Sequence, residues 1–185
     1  MTPREALDIL FSFVGDEPVV HATGYLARTA QAVKHRPSNF YMIGSMGMAS
    51  SIALGIAYAK PRRKVIALDG DGAVLMNLGA LPTAGALGLP NFLHIVIDNE
   101  SYESTGGQPS YSSAVKLERI AESSGYRHAA RVSTPAALKK AVPLFLKRKG
   151  PSFLLVRVQN DPAPAAPRVA DEPEVITRLF AESLR

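Results

Sequence analysis

A chain of 185 residues, 46% hydrophobic and 20% charged, is long enough to bury one large core and too apolar to stay disordered. It contains no cysteine, which excludes disulfides, thiolate metal sites, iron–sulfur ligation and a cysteine nucleophile. Its net charge of +5 is spread over separate groups (Lys34 and Arg36, Arg62-Arg63-Lys64, Lys139-Lys140, Lys147-Arg148-Lys149) without interleaved aromatic residues, so no nucleic-acid partner is expected.

The first residues, MTPREALDIL, carry Glu5 and Asp8 and lack the order of a signal peptide; with the absence of cysteine, this gives a cytoplasmic expectation. An amphipathic helix is expected over 3–14, then an extended run at 18–21. The turn Thr23-Gly24 leads to a second helix ending near His35. A short strand at 41–43 meets the turn Gly44-Ser45-Met46-Gly47, and a helix rich in small residues runs on to Ala59.

Residues 64–68 read as a β-branched strand ending in Asp69-Gly70-Asp71-Gly72, followed by a broken helical region to Gly88 and an apolar strand at 91–97. Two stretches, 38–59 and 72–97, hold no Asp, Glu, Lys or Arg. The glycines, prolines and polar residues within them predict burial between protein layers and no membrane span. Residues 99–113 lack periodicity and contain Gly106-Gly107 and Pro109, which predicts a long functional loop. Beyond it come a helix at 115–123, a strand at 126–131, a helix at 135–148 and a strand at 153–158. A linker at 161–171, proline-rich in its first half, leads to a final helix at 173–183.

Apolar strands alternating with helices predict an α/β fold: one domain of three layers, α/β/α, around a mainly parallel sheet. Such sheets bind ligands beyond the C-terminal strand ends, near a switch in strand order. The turns at Thr23-Gly24, 44–47, 70–72 and 99–101 all follow expected strands and therefore gather along one edge.

Gly70-Asp71-Gly72 follows a strand and opens a helix, where backbone N–H groups can approach a phosphate closely. Asn99 stands 28 positions after Asp71, again just past a strand. If the two strands are neighbours, a carboxylate and an amide oxygen reach one hard cation such as Mg2+. Gly-Asp-Gly followed at this interval by Asn resembles the signature of thiamine-diphosphate enzymes and implies a diphosphate-binding (PP-type) domain. The resemblance implies Mg2+ held by Asp71, the side chain of Asn99 and the main-chain carbonyl of Ser101, with the diphosphate on backbone N–H groups about Gly72 and Ala73. Where that family usually has Asn-Asn, this chain has Asp98-Asn99.

Gly44-Ser45-Met46-Gly47 resembles the family's other cofactor element, which implies that the Gly44 carbonyl accepts from the aminopyrimidine and that Met46 wedges between the two rings. Thr23-Gly24-Tyr25 resembles a third stretch, lining the diphosphate. Residues 38–47, 68–73 and 103–109, the last ending in Gly-Gly-Gln-Pro, resemble phosphonopyruvate and sulfopyruvate decarboxylases, with Tyr102 where those relatives often have His. Tyr102, Ser104 and Gln108 are the candidate substrate contacts, with Thr105, Gly106 and Gly107 beside them.

The resemblance further implies a lyase decarboxylating a 2-oxo acid with an anionic 3-substituent, giving sulfoacetaldehyde or phosphonoacetaldehyde. The activating glutamate of such enzymes belongs to a pyrimidine-binding domain, and no glutamate here lies in a matching motif. A β-type chain that shares its active site with an α-type subunit is therefore expected, inactive alone. An acetohydroxyacid synthase domain, a 2-oxo acid oxidoreductase β subunit and a non-catalytic cofactor-binding subunit are the alternatives. His21 and His94 are expected to be structural, and His35 and His128 to lie at the surface.

Overall fold

The computed structural model describes residues 1–160 and 163–185; Asp161 and Pro162, the first two of the expected linker, lie outside the described residues. Six strands make one sheet: β1 (Val19–His21), β2 (Asn39–Tyr41), β3 (Val65–Gly70), β4 (Phe92–Asp98), β7 (His128–Val132) and β8 (Ser152–Arg157). Their order is β2-β1-β3-β4-β8-β7, and every pairing is parallel. Two further strands, β5 (Ser101–Tyr102) and β6 (Gln108–Pro109), form a separate antiparallel ribbon.

Successive side chains of a strand point to opposite faces, and here both faces are covered. Ile66 and Leu68 of β3, with Leu93, Ile95 and Ile97 of β4, pack under α1 (Pro3–Phe13), α2 (Tyr25–Val33) and α7 (Pro135–Lys147). Val65 and Ala67, with Phe92, Val96 and Phe153, pack under α3 (Ala49–Ala59), α4 (Asp71–Met76), α5 (Ala80–Leu87) and α6 (Leu117–Ser123). The fold is therefore the three-layer parallel α/β sandwich expected of the sequence. Ala49, Ala53 and Ala57 supply the small face that lets α3 lie on the sheet. The last helix, α8 (Pro173–Ser183), packs beside β2 at one end of the sheet, its Phe180 ring 5.3 Å from that of Phe40.

Local chemistry fixes the ends of the helices. Thr2 and Glu5 close a capping box on α1 with Pro3 at the first position, and Thr134 caps α7 ahead of Pro135. The broken helical region after Gly72 is α4 and α5, and Gly88 ends the second in a left-handed conformation.

Several boundaries differ from expectation, β7 and α6 each starting two residues later than expected. β2 lies at Asn39–Tyr41, because its ladder is set by the three-residue partner β1; α3 begins only at Ala49, after the Ser45–Met48 turn. The 99–113 loop is partly ordered into the β5–β6 ribbon, reversed through Gly106 and Gly107 with a hydrogen bond from Gly107 N–H to Tyr102 O. Among the described residues no helix is long and apolar enough to cross a membrane.

Candidate active site

The chain forms β2 on one side of β1 and then crosses to place β3 on the other, so the strand order switches at β1. A cavity of about 430 Å³ opens at the C-terminal strand ends beside this switch, as expected for an open parallel sheet. Thr23 and Tyr25 line it from beyond β1, and Met46 from the turn before α3. The β3–α4 junction contributes Gly70, Asp71, Gly72 and Ala73, and the segment after β4 contributes Asn99, Ser101, Tyr102 and Ser104. Thr105, Gly106 and Gly107 are not in its lining, and neither are four of the other residues singled out in the sequence. Gly24 caps α2 and packs against Ser104, Gly44 and Ser45 are exposed on the rim turn, and Gln108 folds back to donate to Thr105 O at 3.0 Å.

β3 and β4 are parallel neighbours with Gly70 opposite Ile97, so Asp71 and Asn99 leave adjacent strand ends into one cavity. Asp71 is 2% exposed, and burial pushes its carboxyl above the usual carboxylate range, with the Asp98 charge adding to the shift and Ser110 opposing it. The Ser110 hydroxyl donates a short hydrogen bond to Asp71 Oδ2. The Ser112 hydroxyl reaches both carboxylates, 2.7 Å from Asp98 Oδ1 and 3.3 Å from Asp71 Oδ2. The neighbouring Asp98 charge thus adds to the burial that opposes ionisation of Asp71.

Asn99 sits in a tight turn. Its Oδ1 accepts from Ser101 N–H at 3.2 Å, its Nδ2 donates to Glu103 at 3.2 Å, and Asp98 Oδ1 accepts from Glu100 N–H at 3.1 Å. Glu100 occupies the left-handed region at φ 58°, a conformation non-glycine residues adopt at some cost. Arg157, at the end of β8 and opposite Asp98, pairs with Asp98 at 3.3 Å through Nη1 and with Glu100 through Nη2. The acid that replaces the usual first Asn of the motif is thus neutralised by a guanidinium from the next strand.

Two close approaches shape the cavity. A Cβ on Gly72 would lie 2.8 Å from Cδ1 of Tyr102 and closer still to Cε1, so the Tyr102 ring rests directly on the Gly72 backbone. Gly47, at φ 90°, would place a Cβ 3.1 Å from Ala73 O, and its own carbonyl accepts from Asn77 Nδ2 at 2.9 Å. The rim turn carrying Met46 is thereby tied to the Asp71 helix.

The buried histidines lie away from the cavity, as expected. His21 is stacked between Phe11 and Tyr41, and burial lowers its pKa to about 3. His94 has Nε2 3.0 Å from Asp69 and Nδ1 3.3 Å from the Tyr126 hydroxyl. His35 is exposed, and His128, in β7, is half-buried. The sequence also left unmarked Arg4 and Glu103, which line the cavity, and Ser110, Ser112, Asn77 and Arg157, which support it. Arg157 and Arg4 have no local signature; the serines lie inside the 99–113 loop, where an Asp–Ser pairing was findable in principle.

The residues fit a hard divalent cation: a buried carboxylate kept from ionising easily and an amide oxygen beside it, with the Ser101 hydroxyl nearby buried and without a hydrogen-bond partner among the described residues. The thiamine pyrophosphate enzyme C-terminal TPP binding domain model matches residues 22–156. The chain is 37% identical over 178 residues to a sulfopyruvate decarboxylase subunit beta of Methanothermobacter thermautotrophicus, covering 96% of this chain and 93% of that one. It is 37% identical over 165 residues to a phosphonopyruvate decarboxylase of Streptomyces viridochromogenes, covering 89% of this chain but only 41% of that one. A Rhodococcus jostii thiamine diphosphate-dependent 4-hydroxybenzoylformate decarboxylase superposes with a TM-score of 0.71 at 21% identity, covering 88% of this chain and 33% of that one, a likeness of fold.

Proposed function

The chain belongs to the thiamine pyrophosphate enzymes, as their C-terminal TPP-binding domain, and on that premise we propose that it is the β-type subunit of a two-chain decarboxylase. Its substrate is a 2-oxo acid bearing an anionic 3-substituent, sulfopyruvate or phosphonopyruvate, in keeping with the names of the relatives. The observation that carries this is the convergence of Asp71 and Asn99 from adjacent parallel strand ends on one cavity.

In this reading Mg2+ is held by Asp71, the Asn99 side chain and the Ser101 carbonyl. The diphosphate rests on N–H groups about Gly72 and Ala73, flanked by Thr23, Gly24 and Tyr25. Gly44, Ser45 and Met46, on the open rim, face the pyrimidine. Thiamine diphosphate supplies the electron sink for loss of CO2; the protein orients it and keeps water out. Tyr102 and Ser104 line the cavity and are the substrate contacts this reading keeps, whereas Gln108 needs a rearrangement of the ribbon to reach it.

The cavity has one glutamate among its described lining, Glu103, and that carboxylate already accepts from Asn99. The activating glutamate therefore comes from an α-type partner. A surface for it lies beside the rim. Ile43, Met46, Met48, Tyr58, Met76 and Leu87 are exposed around the turn, α3, α4 and α5, and single-chain proteins rarely present so many large apolar groups together. A cytoplasmic setting completes the reading, supported by a cysteine-free sequence. The test is co-purification with an α-type sulfopyruvate decarboxylase subunit and measurement of CO2 release from sulfopyruvate, phosphonopyruvate and pyruvate. Release dependent on both chains and on Mg2+ is expected. No release from any 2-oxo acid with a stably bound partner would overturn the reading.

A further inference from the structure

Arg4 enters the cavity from the first turn of α1 and has no role in the reading above. Among the described lining residues it is the one cation; the other ionisable side chains there are Asp71, Glu103, Tyr25 and Tyr102. It is exposed, and its guanidinium has no hydrogen-bond or ion-pair partner among the described residues. Helix stability does not account for it. Arg4 follows Pro3 at the positive end of the α1 dipole, where a cation is disfavoured, and the Thr2–Glu5 capping box closes without it. Nearby hydroxyls of Thr23, Thr29 and Ser104 line the same space, so a fork of N–H donors stands among neutral donors in a cavity otherwise carrying carboxylates.

We propose that Arg4 is the oxyanion anchor of this cavity, pairing through its guanidinium with a tetrahedral phosphorus or sulfur oxyanion. The planar fork matches such oxygens bidentately, which an ammonium cannot do. The inference rests on the cofactor reading of the cavity, and the same chemistry has two sources: the sulfonate or phosphonate of the substrate, and the diphosphate of the cofactor. The substrate's group is the one otherwise left without a cation, because Mg2+ on Asp71 and Asn99 already serves the diphosphate.

The test compares the wild-type chain with Arg4→Gln and Arg4→Lys by titration calorimetry. One arm uses inorganic pyrophosphate with Mg2+; the other uses sulfoacetate on the chain loaded with Mg2+ and thiamine diphosphate. Arg4→Gln is expected to weaken sulfoacetate binding about ten- to a hundredfold, with Arg4→Lys recovering part of the loss. A matching loss in the pyrophosphate arm alone assigns Arg4 to the diphosphate and sustains the anchor. Affinities unchanged in both arms, or sulfoacetate bound by none of the three proteins with pyrophosphate unaffected, overturn it. The thermal midpoint of Arg4→Gln should be unchanged or higher, which a structural role for the side chain contradicts. Failure of the wild-type chain to bind either Mg2+-pyrophosphate or Mg2+-thiamine diphosphate would instead sink the cofactor reading itself.

Discussion

The Nη1 atom of Arg157 lies 3.3 Å from Oδ1 of the buried Asp98, while its Nη2 holds Glu100, so one side chain from β8 brackets Asn99 on both sides. Without that clamp, Asp98 is a buried acid beside another buried acid, and Glu100 loses what offsets its left-handed backbone. Arg157→Met should therefore cost about 1.5–3 kcal/mol of stability, the range for hydrogen bonds to charged groups. It should also weaken Mg2+-dependent cofactor binding by loosening the Asn99 turn. Urea denaturation and Mn2+ binding in the presence of thiamine diphosphate read the two effects. A variant that loses stability but binds the metal normally makes Arg157 structural only.

Much of this site was legible in the sequence because it is built from local signatures at strand ends. Gly70-Asp71-Gly72 and Asn99 are each punctuated by a strand, and strand adjacency was the one thing that remained to be supplied. What was illegible is held together across the sheet. Arg157 meets Asp98 through a register between β4 and β8, 59 residues apart, and Arg4 reaches the cavity because α1 packs on α2 and α7. The β5–β6 ribbon escaped because two-residue strands have no periodicity to detect.

Asp71 is retained at a cost to the unliganded fold, since burial and Asp98 both oppose its ionisation. Asp71→Asn should leave the chain as stable as the parent or more so, while removing the stabilisation that Mg2+ and thiamine diphosphate confer. For the parent at a hundred times the dissociation constant that stabilisation is about 2.7 kcal/mol. Thermal denaturation with and without ligand measures both halves. A ligand-induced shift that survives in Asp71→Asn, and in Asn99→Ala, excludes these two as the metal site.

Contact between Gly72 and Tyr102 makes a second, steric prediction. A methyl at residue 72 overlaps the Tyr102 ring, so Gly72→Ala should cost about 1–3 kcal/mol through overpacking and displace Tyr102 from the cavity wall. Tyr102→Ala should relieve the clash, giving a favourable coupling in the double-mutant cycle. Additive losses would mean that the ring already moves freely away from the turn.

His21 sets a pH limit on the fold. Its folded pKa of about 3 lies below the ordinary 6.5, so the unfolded chain takes up a proton that the stacked, buried ring refuses. The stability held by neutral His21 is complete above pH 6.5 and is lost as the pH falls from there toward 3, by at most about 1.4 kcal/mol per unit. His21→Phe keeps a ring between Phe11 and Tyr41 without the proton site. Between pH 7 and 5 the parent should lose about 2 kcal/mol more than this variant in urea denaturation. Equal losses would show that the ring is protonated in the fold.

The exposed apolar face argues that the chain works in company, and it gives the means to test this without touching the cavity. Tyr58 is 68% exposed on α3 and forms part of a groove with Leu54 and Leu87, away from the Asp71 and Asn99 site. A charge there should disrupt a packed interface, since an unpaired charge loses hydration it cannot recover. Tyr58→Glu should bind Mg2+ and thiamine diphosphate as the parent does, yet lose at least about tenfold in affinity for an α-type subunit, an effect of about 1.4 kcal/mol. Decarboxylation at limiting partner should fall with it and recover at excess. Full activity from the purified single chain would show that the glutamate is not needed from outside, and an unchanged partner affinity in Tyr58→Glu would move the interface to another face.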